Sequence, residues 1–504
     1  MKNTNLIYGV KDKPGFGKTI VFALQQVLAI LAATVVVPVI INGNTAELVL
    51  KGEAAIKSQM SQSAALFGAG VGTIIYLLFT KFKSPVFLGS SFAFLGSMTS
   101  AFAGATSMAA GYLGLIIGAV MAGLVYVIIA LIVKRAGTGW INKIMPAAVI
   151  GPTVAVIGLS LSGNAIGDLF KGGNLVESFT PTIVQNPNTL QNEILNIPTM
   201  VSTASPYVAL VCGLVTLAVV ILCSVYGKKM MKMIPFIIGI LAGYATACIF
   251  TLIGELTGSP ELIVIDFSAF ATLGSASAWV PEFTFVEAFT QPGGFGNIGS
   301  LIGTIAVAYI PVAFVVFAEH LADHKNISSI IGEDLTKDPG LHRTLLGDGI
   351  GSMAGAFFGG CPNTTYGESV GCVAISKNAS VVTILTAACI CIVAAFFAPF
   401  TIFLKTIPSC VMGGVCISLY GFIAVSGLKM IQKVNLNKEY NLFTVSVILI
   451  AGVGGMVLSF GQVKITSVAC ALILGILVNL IGKRAAKKDA LEVPAEEVKE
   501  EKAE

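Results

Sequence analysis

The chain has 504 residues, 55% of them hydrophobic and only 11% charged, against about 25% charged in an ordinary soluble domain. That balance excludes a water-soluble fold. A net charge of +4 says little about partners, because in such a chain the basic residues are sorted by topology; no nucleic-acid partner is expected. Apolar runs near the roughly 20 residues that cross a hydrocarbon core recur throughout, so the chain reads as a multi-pass protein of the lipid bilayer.

Residues 1–18 are polar and basic and are expected to form a cytoplasmic N-terminal segment. The first apolar run, 19–41, is long enough to remain as a span rather than be removed as a signal peptide. Further spans are predicted at about 62–81, 87–104, 107–133, 144–162, 205–227, 233–254, 300–325, 343–360, 367–377, 380–404, 407–428, 440–460 and 465–482, about fourteen in all. Two are interrupted. The third opens with KSPVFLGSSFAF and the tenth with CPNTTYGESVG, and neither can run as one helix from its first residue. The ten cysteines lie almost all inside apolar runs without metal spacing and read as small buried residues.

Charge sorting supports an even count. With the N-terminus in the cytoplasm, all but five of the 30 Lys and Arg residues fall inside, the exceptions being Lys51, Lys57, Lys171, Lys405 and Lys464. Both termini are then cytoplasmic, and the long loops 163–204 and 255–299 lie outside. The charged tail from Lys487 is expected to be disordered.

An internal repeat is visible. IMPAAVIGP (144–152) resembles TIPSCVMGG (406–414), and Ser90-Ser91-Phe92 resembles Thr364-Thr365-Tyr366 at the two interrupted spans. Seven spans per half is an odd number, so the halves are inverted, and paired broken helices in inverted repeats mark a transporter site near the midplane. The predicted fold is an all-α polytopic membrane protein, a 7+7 inverted repeat with short antiparallel strands in the third and tenth segments. Non-helical backbone is tolerated at membrane depth only where protein or a water-filled cavity satisfies it. Segments 85–91 and 362–367 are therefore expected to face each other, each running into a half-helix whose first amides lack partners.

Glu368 opens the second half-helix, where the dipole favours its charge. Glu319 ends the run IGTIAVAYIPVAFVVFAEH, Asp323 follows at i+4 on the same face, and His320 and His324 form an i, i+4 pair beside them. Ionisable groups at this depth are candidates for function; the competing reading is that 319–324 marks only the end of the span, since Lys325 follows. Neither H-E-x-x-H nor G-x-x-x-x-G-K-[ST] occurs, so neither a zinc enzyme nor ATP-driven transport is expected, and no cofactor is. An ion gradient remains as the driving force.

Four stretches together carry a resemblance: LQQVLAILAATVVVPVI (24–40), FLGSSFAF (87–94), AEHLADHKNISSIIGEDLTKDPGLHRTLLGDGI (318–350) and FFGGCPNTTYGESVGCVAISK (357–377). They resemble the nucleobase–ascorbate transporter family in its bacterial uracil-permease branch, over nearly the whole chain. The resemblance implies a core domain of 19–134 and 300–404 sliding against a gate domain of 144–254 and 407–484, with 485–504 a cytoplasmic tail. It implies a homodimer in the inner cell membrane that takes uracil or a related nucleobase together with a proton, sodium being the alternative ion. Glu319 and Glu368 would hold the ring N–H groups, the amides of Gly367 and Phe92 the carbonyls, with Tyr366 and Ser91 close by; Asp323, His324 and Glu319 are the candidates for proton coupling. The chain departs from the family at Asp323, where a His is usual, at Gln26 in place of His in the first span, at Ser369 in place of Asn, and at Ser376-Lys377 in place of Thr-Arg. A xanthine or urate permease of the same family, or an anion exchanger of the same architecture, are the alternative readings.

Overall fold

A computed structural model describes residues 6–50, 56–172, 175–185, 192–228, 230–460 and 463–492. Lys51 and the tail from 493 onward lie outside the described residues. In chain order the principal elements are α1 (Phe16–Leu50), α2 (Gln62–Phe79), β1 (Leu88–Ser90), α3 (Leu95–Ala103), α4 (Met108–Ala136), α5 (Ala147–Ser160), β2 (Leu175–Gln185), β3 (Asn192–Ser202), α6 (Pro206–Val225) and α7 (Pro235–Thr257). There follow α8 (Ile298–Ile331), α9 (Leu341–Gly359), β4 (Asn363–Thr365), α10 (Gly367–Ser376), α11 (Val381–Ala394), α12 (Ser409–Ile431), α13 (Glu439–Val453), β5 (Leu458–Phe460), β6 (Val463–Ile465) and α14 (Ser467–Glu492). Among the described residues nine helices are long and apolar enough to cross a bilayer, and a bent pair makes a tenth.

Local chemistry sets the helix ends. Ser107 accepts from the Ala110 amide at 3.0 Å to start α4, and Gly137, at φ +70°, ends it. Asn297 accepts from the Ser300 amide at 3.2 Å to start α8. Pro146 and Pro408, both extended (ψ 170° and 151°), stand immediately before α5 and α12. The resemblance between 144–152 and 406–414 is thus matched by the same local turn at both places.

Several expectations are corrected. Helix α8 runs to Ile331, so 319–324 does not mark its end. The predicted span 380–404 is not one helix: α11 stops at Ala394 and the chain turns by 82° into a second helix, Ala398–Thr406. The span 440–460 stops at Val453, because Leu458–Phe460 pairs with Val463–Ile465. The loop 163–204, without strands in the sequence reading, holds the antiparallel pair β2–β3, with Leu175 opposite Ser202. The tail predicted from 485 begins as a continuation of α14, to Glu492.

The helices pack in two groups. In the first, α2 packs on α9 and α11, α4 on α8 and α9, and α1 on α11 and α10. In the second, α5 packs on α12 and α13, α6 on α7 and α12, and α13 on α14. Glycines let backbones approach: a Cβ on Gly68 would lie 2.6 Å from the Gly355 carbonyl oxygen, close packing of the kind that holds membrane helices together.

Candidate functional site

The two interrupted segments meet. β1 and β4 pair antiparallel, with Leu88 opposite Thr365, Gly89 opposite Thr364 and Ser90 opposite Asn363. The pairing extends beyond the strands, the Ser91 amide donating to the Pro362 carbonyl at 2.9 Å and the Tyr366 amide to the Phe87 carbonyl at 3.2 Å. Side chains serve the remaining groups. Thr73 Oγ1 accepts from the Leu88 amide at 2.9 Å, and Ser369 Oγ accepts from the Phe87 amide at 3.0 Å and from the Gln26 side-chain amide. This accounts for extended backbone in an apolar interior, where each unpaired group costs several kcal/mol, of the order ~2–7.

After the strands the chain enters a 3₁₀ turn, Phe92–Phe94, leading into α3, and, on the other side, α10. The first bond in α10 runs from the Val370 amide to the Tyr366 carbonyl at 3.1 Å. The amides of Gly367, Glu368 and Ser369 therefore have no acceptor within the helix, and Gly367 is exposed to an open cavity.

That cavity has a volume of about 370 Å³, in the range of small-molecule sites. One wall is Glu319, Ala322, Asp323 and Asn326 of α8. The floor and second wall are Phe92, Thr364, Tyr366, Gly367 and Glu368. The wall facing them comes from the second helix group: Val154 of α5, Phe236 of α7, and Phe422, Ile423 and Ser426 of α12. Lys232 and Ser224 complete the lining. Glu319 and Glu368 are half-buried, and Asp323 is 8% exposed, its Oδ2 accepting from Thr365 Oγ1 at 2.8 Å. The Tyr366 hydroxyl donates to the Ser90 carbonyl at 2.8 Å, which fixes its ring on the floor. Phe92 meets Tyr420 of α12 edge-on at 5.5 Å, so the two helix groups touch directly beside the cavity.

Of the residues singled out in the sequence, Glu319, Glu368, Gly367, Tyr366, Phe92 and Asp323 line this one cavity. Ser91 does not; it is fully buried behind the strand pair. Nor does His324. Its Nδ1 lies 2.8 Å from the His320 carbonyl and its Nε2 2.7 Å from the Tyr76 hydroxyl, which tie α8 to α2. Three features escaped the sequence reading: the cavity wall from α5, α7 and α12, the Thr365–Asp323 bond, and Asp348, buried in α9 against His320. The last carried a signal, an acid inside an apolar run.

Two helix groups closing a polar cavity at paired broken helices define a membrane permease. The model of the Permease family matches residues 17–460. The chain is 35% identical over 493 residues to the uracil permease of Bacillus subtilis (strain 168), covering 97% of this chain and 98% of that one. It is 34% identical over 478 residues to the uracil permease of Bacillus caldolyticus, covering 94% of each. Among solved structures, the transmembrane domain of a cyanobacterium bicarbonate transporter, BicA, aligns with TM-score 0.50 at 16% identity over 94% of this chain and 99% of that one. The murine Solute Carrier 26 family member A9 anion transporter, in its inward-facing state, aligns with TM-score 0.53 at 11% identity over 94% of this chain and 69% of that one. At these identities the structural likeness concerns the fold alone. The chain belongs to the permease family of nucleobase–ascorbate transporters, in the uracil-permease branch.

Proposed function

We propose that the protein imports uracil by proton symport. The observation that carries this reading is the pairing, in one cavity, of two half-buried carboxylates with the unbonded amides of a half-helix. Uracil is flat and neutral, with two N–H donors and two carbonyl acceptors. Glu319 and Glu368 accept from the ring N–H groups; the Gly367 and Phe92 amides donate to the carbonyls. An analogue lacking one of these groups leaves a buried partner unsatisfied, at a cost of about 1–3 kcal/mol. The names of the relatives favour uracil over xanthine or urate. Two acids facing the guest disfavour an anion, despite Lys232 in the lining.

In this reading fourteen segments form two inverted sets of seven. Helices α1–α4 and α8–α11 are the core domain and α5–α7 and α12–α14 the gate domain. The core carries the strand pair and slides against the gate in an elevator-like movement, within a homodimer. Asp323, in the cavity and one turn from Glu319, takes the proton where the family has His.

Glu319→Gln tests the pose. An amide oxygen and NH₂ cannot replace two ionised oxygens facing an N–H donor, so uracil affinity in a binding assay on purified protein is expected to fall at least about tenfold, roughly 1.4 kcal/mol. Unchanged affinity would rule the pose out.

A further inference from the structure

Behind the cavity, α8 turns a second set of ionisable side chains into the protein. His320 Nδ1 lies 2.7 Å from Oδ2 of Asp348 on α9, and His320 Nε2 lies 3.0 Å from Thr344 Oγ1. Thr344 Oγ1 also lies 3.0 Å from the Leu341 carbonyl oxygen. A hydroxyl has one hydrogen to donate and lone pairs with which to accept. Two arrangements of hydrogens therefore satisfy the group. In the first, Thr344 donates to the Leu341 carbonyl, Nε2–H donates to Thr344, and one proton sits between Nδ1 and Oδ2; imidazole and carboxyl together are uncharged. In the second, Thr344 donates to Nε2 and Nδ1–H donates to an ionised carboxylate; the pair carries one negative charge, and the Leu341 carbonyl keeps its place in the helical ladder. The two differ by one proton and the rotation of one hydroxyl. No heavy atom moves, and the His–Asp bond survives in both.

The pair also borders a small cavity. Asp348 is 1% exposed, yet its Oδ1 has no protein partner, and neither does the Tyr126 hydroxyl of α4. Both residues line a closed cavity of about 10 Å³, shared with Asn363 of β4, which has room for a single water. Other ionisable groups stand close to the pair. His324 stacks on His320 at 3.9 Å, its Nδ1 2.8 Å from the His320 carbonyl oxygen and its Nε2 2.7 Å from the hydroxyl of Tyr76, which lies 2.6 Å from that of Ser84. The Tyr126 ring stands edge-on to His320 at 6.1 Å. Glu319 and Asp323 face the substrate cavity on the other side of α8. Among the described residues no lysine or arginine pairs with Asp348.

The geometry points to His320–Asp348, with Thr344 as its hydroxyl switch, as a second station for the proton moved with the substrate, one that it reaches in addition to Asp323. The inference rests on the proton-symport reading and adds a place for the proton that is separate from the substrate. The pair connects to the substrate floor through β4: Asn363 lines the same small cavity as Asp348, and Thr365, two residues on, bonds Asp323. Protonation adds one H⁺ from water, and release returns it; no other bond changes.

The test uses the full chain in liposomes with labelled uracil. A one-unit pH gradient supports about tenfold accumulation of a neutral solute carried with one proton. Asp348→Asn keeps an acceptor for Nδ1–H but cannot take a proton. Accumulation is expected to fall about tenfold, to near equilibrium, while uracil counterflow changes by no more than about twofold. Thr344→Val is expected to lose accumulation likewise, and Thr344→Ser to restore it, which separates the switch from packing. Accumulation by Asp348→Asn equal to the wild type, or Ser no better than Val at 344, overturns the proposal. So does wild-type uptake driven by a sodium gradient and lost in Asp348→Asn, which would make the small cavity a sodium site. Absence of wild-type counterflow would sink the uracil reading instead. In that case infrared difference spectra without substrate still judge the pair: a protonated-carboxyl or imidazolium band gained on acidification and missing in Asp348→Asn supports it, and identical spectra refute it.

Discussion

At Gly89 the floor of the site depends on a missing side chain. A Cβ there would collide with Cε2 and Cζ of the Tyr366 ring and approach its hydroxyl to 2.9 Å. Gly89→Ala therefore pushes Tyr366 off the Ser90 carbonyl, and overpacking of this kind costs about 1–3 kcal/mol. A lower melting temperature in detergent, together with weaker uracil binding, is the expected result; Gly89→Ala with unchanged binding would mean that Tyr366 does not shape the floor. Asp323→Asn acts differently, since it keeps an oxygen to accept from Thr365 and loses only the exchangeable proton. It is expected to damage proton-driven accumulation more than counterflow, and equal loss of both would reject a coupling role. The i, i+4 spacing in the sequence correctly put Glu319 and Asp323 on one face, and His320 and His324 on another. It could not say which face meets the cavity, because that depends on α2 and α9, whose contacts lie far away in the chain. For the same reason the sequence did not show that His324 lies off the cavity and bonds Tyr76 of α2.

Each strand of the site has only three residues, and such a pair holds in an apolar interior only because neighbouring helices serve its edges. Thr73 of α2 is one such server. Thr73→Val keeps the shape but leaves the Leu88 amide unbonded, at about 1–3 kcal/mol; thermal denaturation is expected to show the loss and Thr73→Ser to recover it. The turn after α8 offers a pH test outside the membrane. The Thr336 hydroxyl, 2.5 Å from Asp334 Oδ1, holds that carboxyl below its usual range. A depressed folded pKa stabilises above the unfolded value, about 3.9, and the benefit fades as pH falls through the folded one. The deficit in melting temperature of Thr336→Val relative to wild type is thus expected at neutral pH and should shrink in acid. The interrupted segments were legible because Pro and Gly beside paired hydroxyls rule out a helix. The break in 380–404 carried one signal, Pro399 at the start of the second helix, but VAAFFAPF is as apolar as the helices it joins, so hydropathy runs straight through it. The β2–β3 hairpin escaped because extraction of spans by hydropathy treats everything between them as loop.

For the whole molecule, several residues that line the cavity lie beside basic residues near helix ends. These are Ser224 near the end of α6, Lys232, Asn326 beside Lys325, and Ser426 one turn before Lys429, while the strand pair and the contact of Phe92 with Tyr420 lie beside the cavity's other lining residues. The same lysines are those that the charge rule places in the cytoplasm. In the orientation that the charge rule expects, with both termini cytoplasmic, the cavity would face the inside. Ser426→Cys, in a Cys372→Ser background because Cys372 also lines the cavity, is expected to react with a membrane-impermeant thiol reagent in inside-out vesicles and not in right-side-out cells. Uracil should slow that reaction, since Ser426 lines the cavity that the guest fills. Under an elevator movement the protection has a second consequence. Trapping the core in the outward position, by a substrate gradient from outside, lowers labelling at 426 without any ligand touching the residue. Labelling from the outside face, or labelling indifferent to both uracil and gradient, would mean that the helix groups do not move as core and gate.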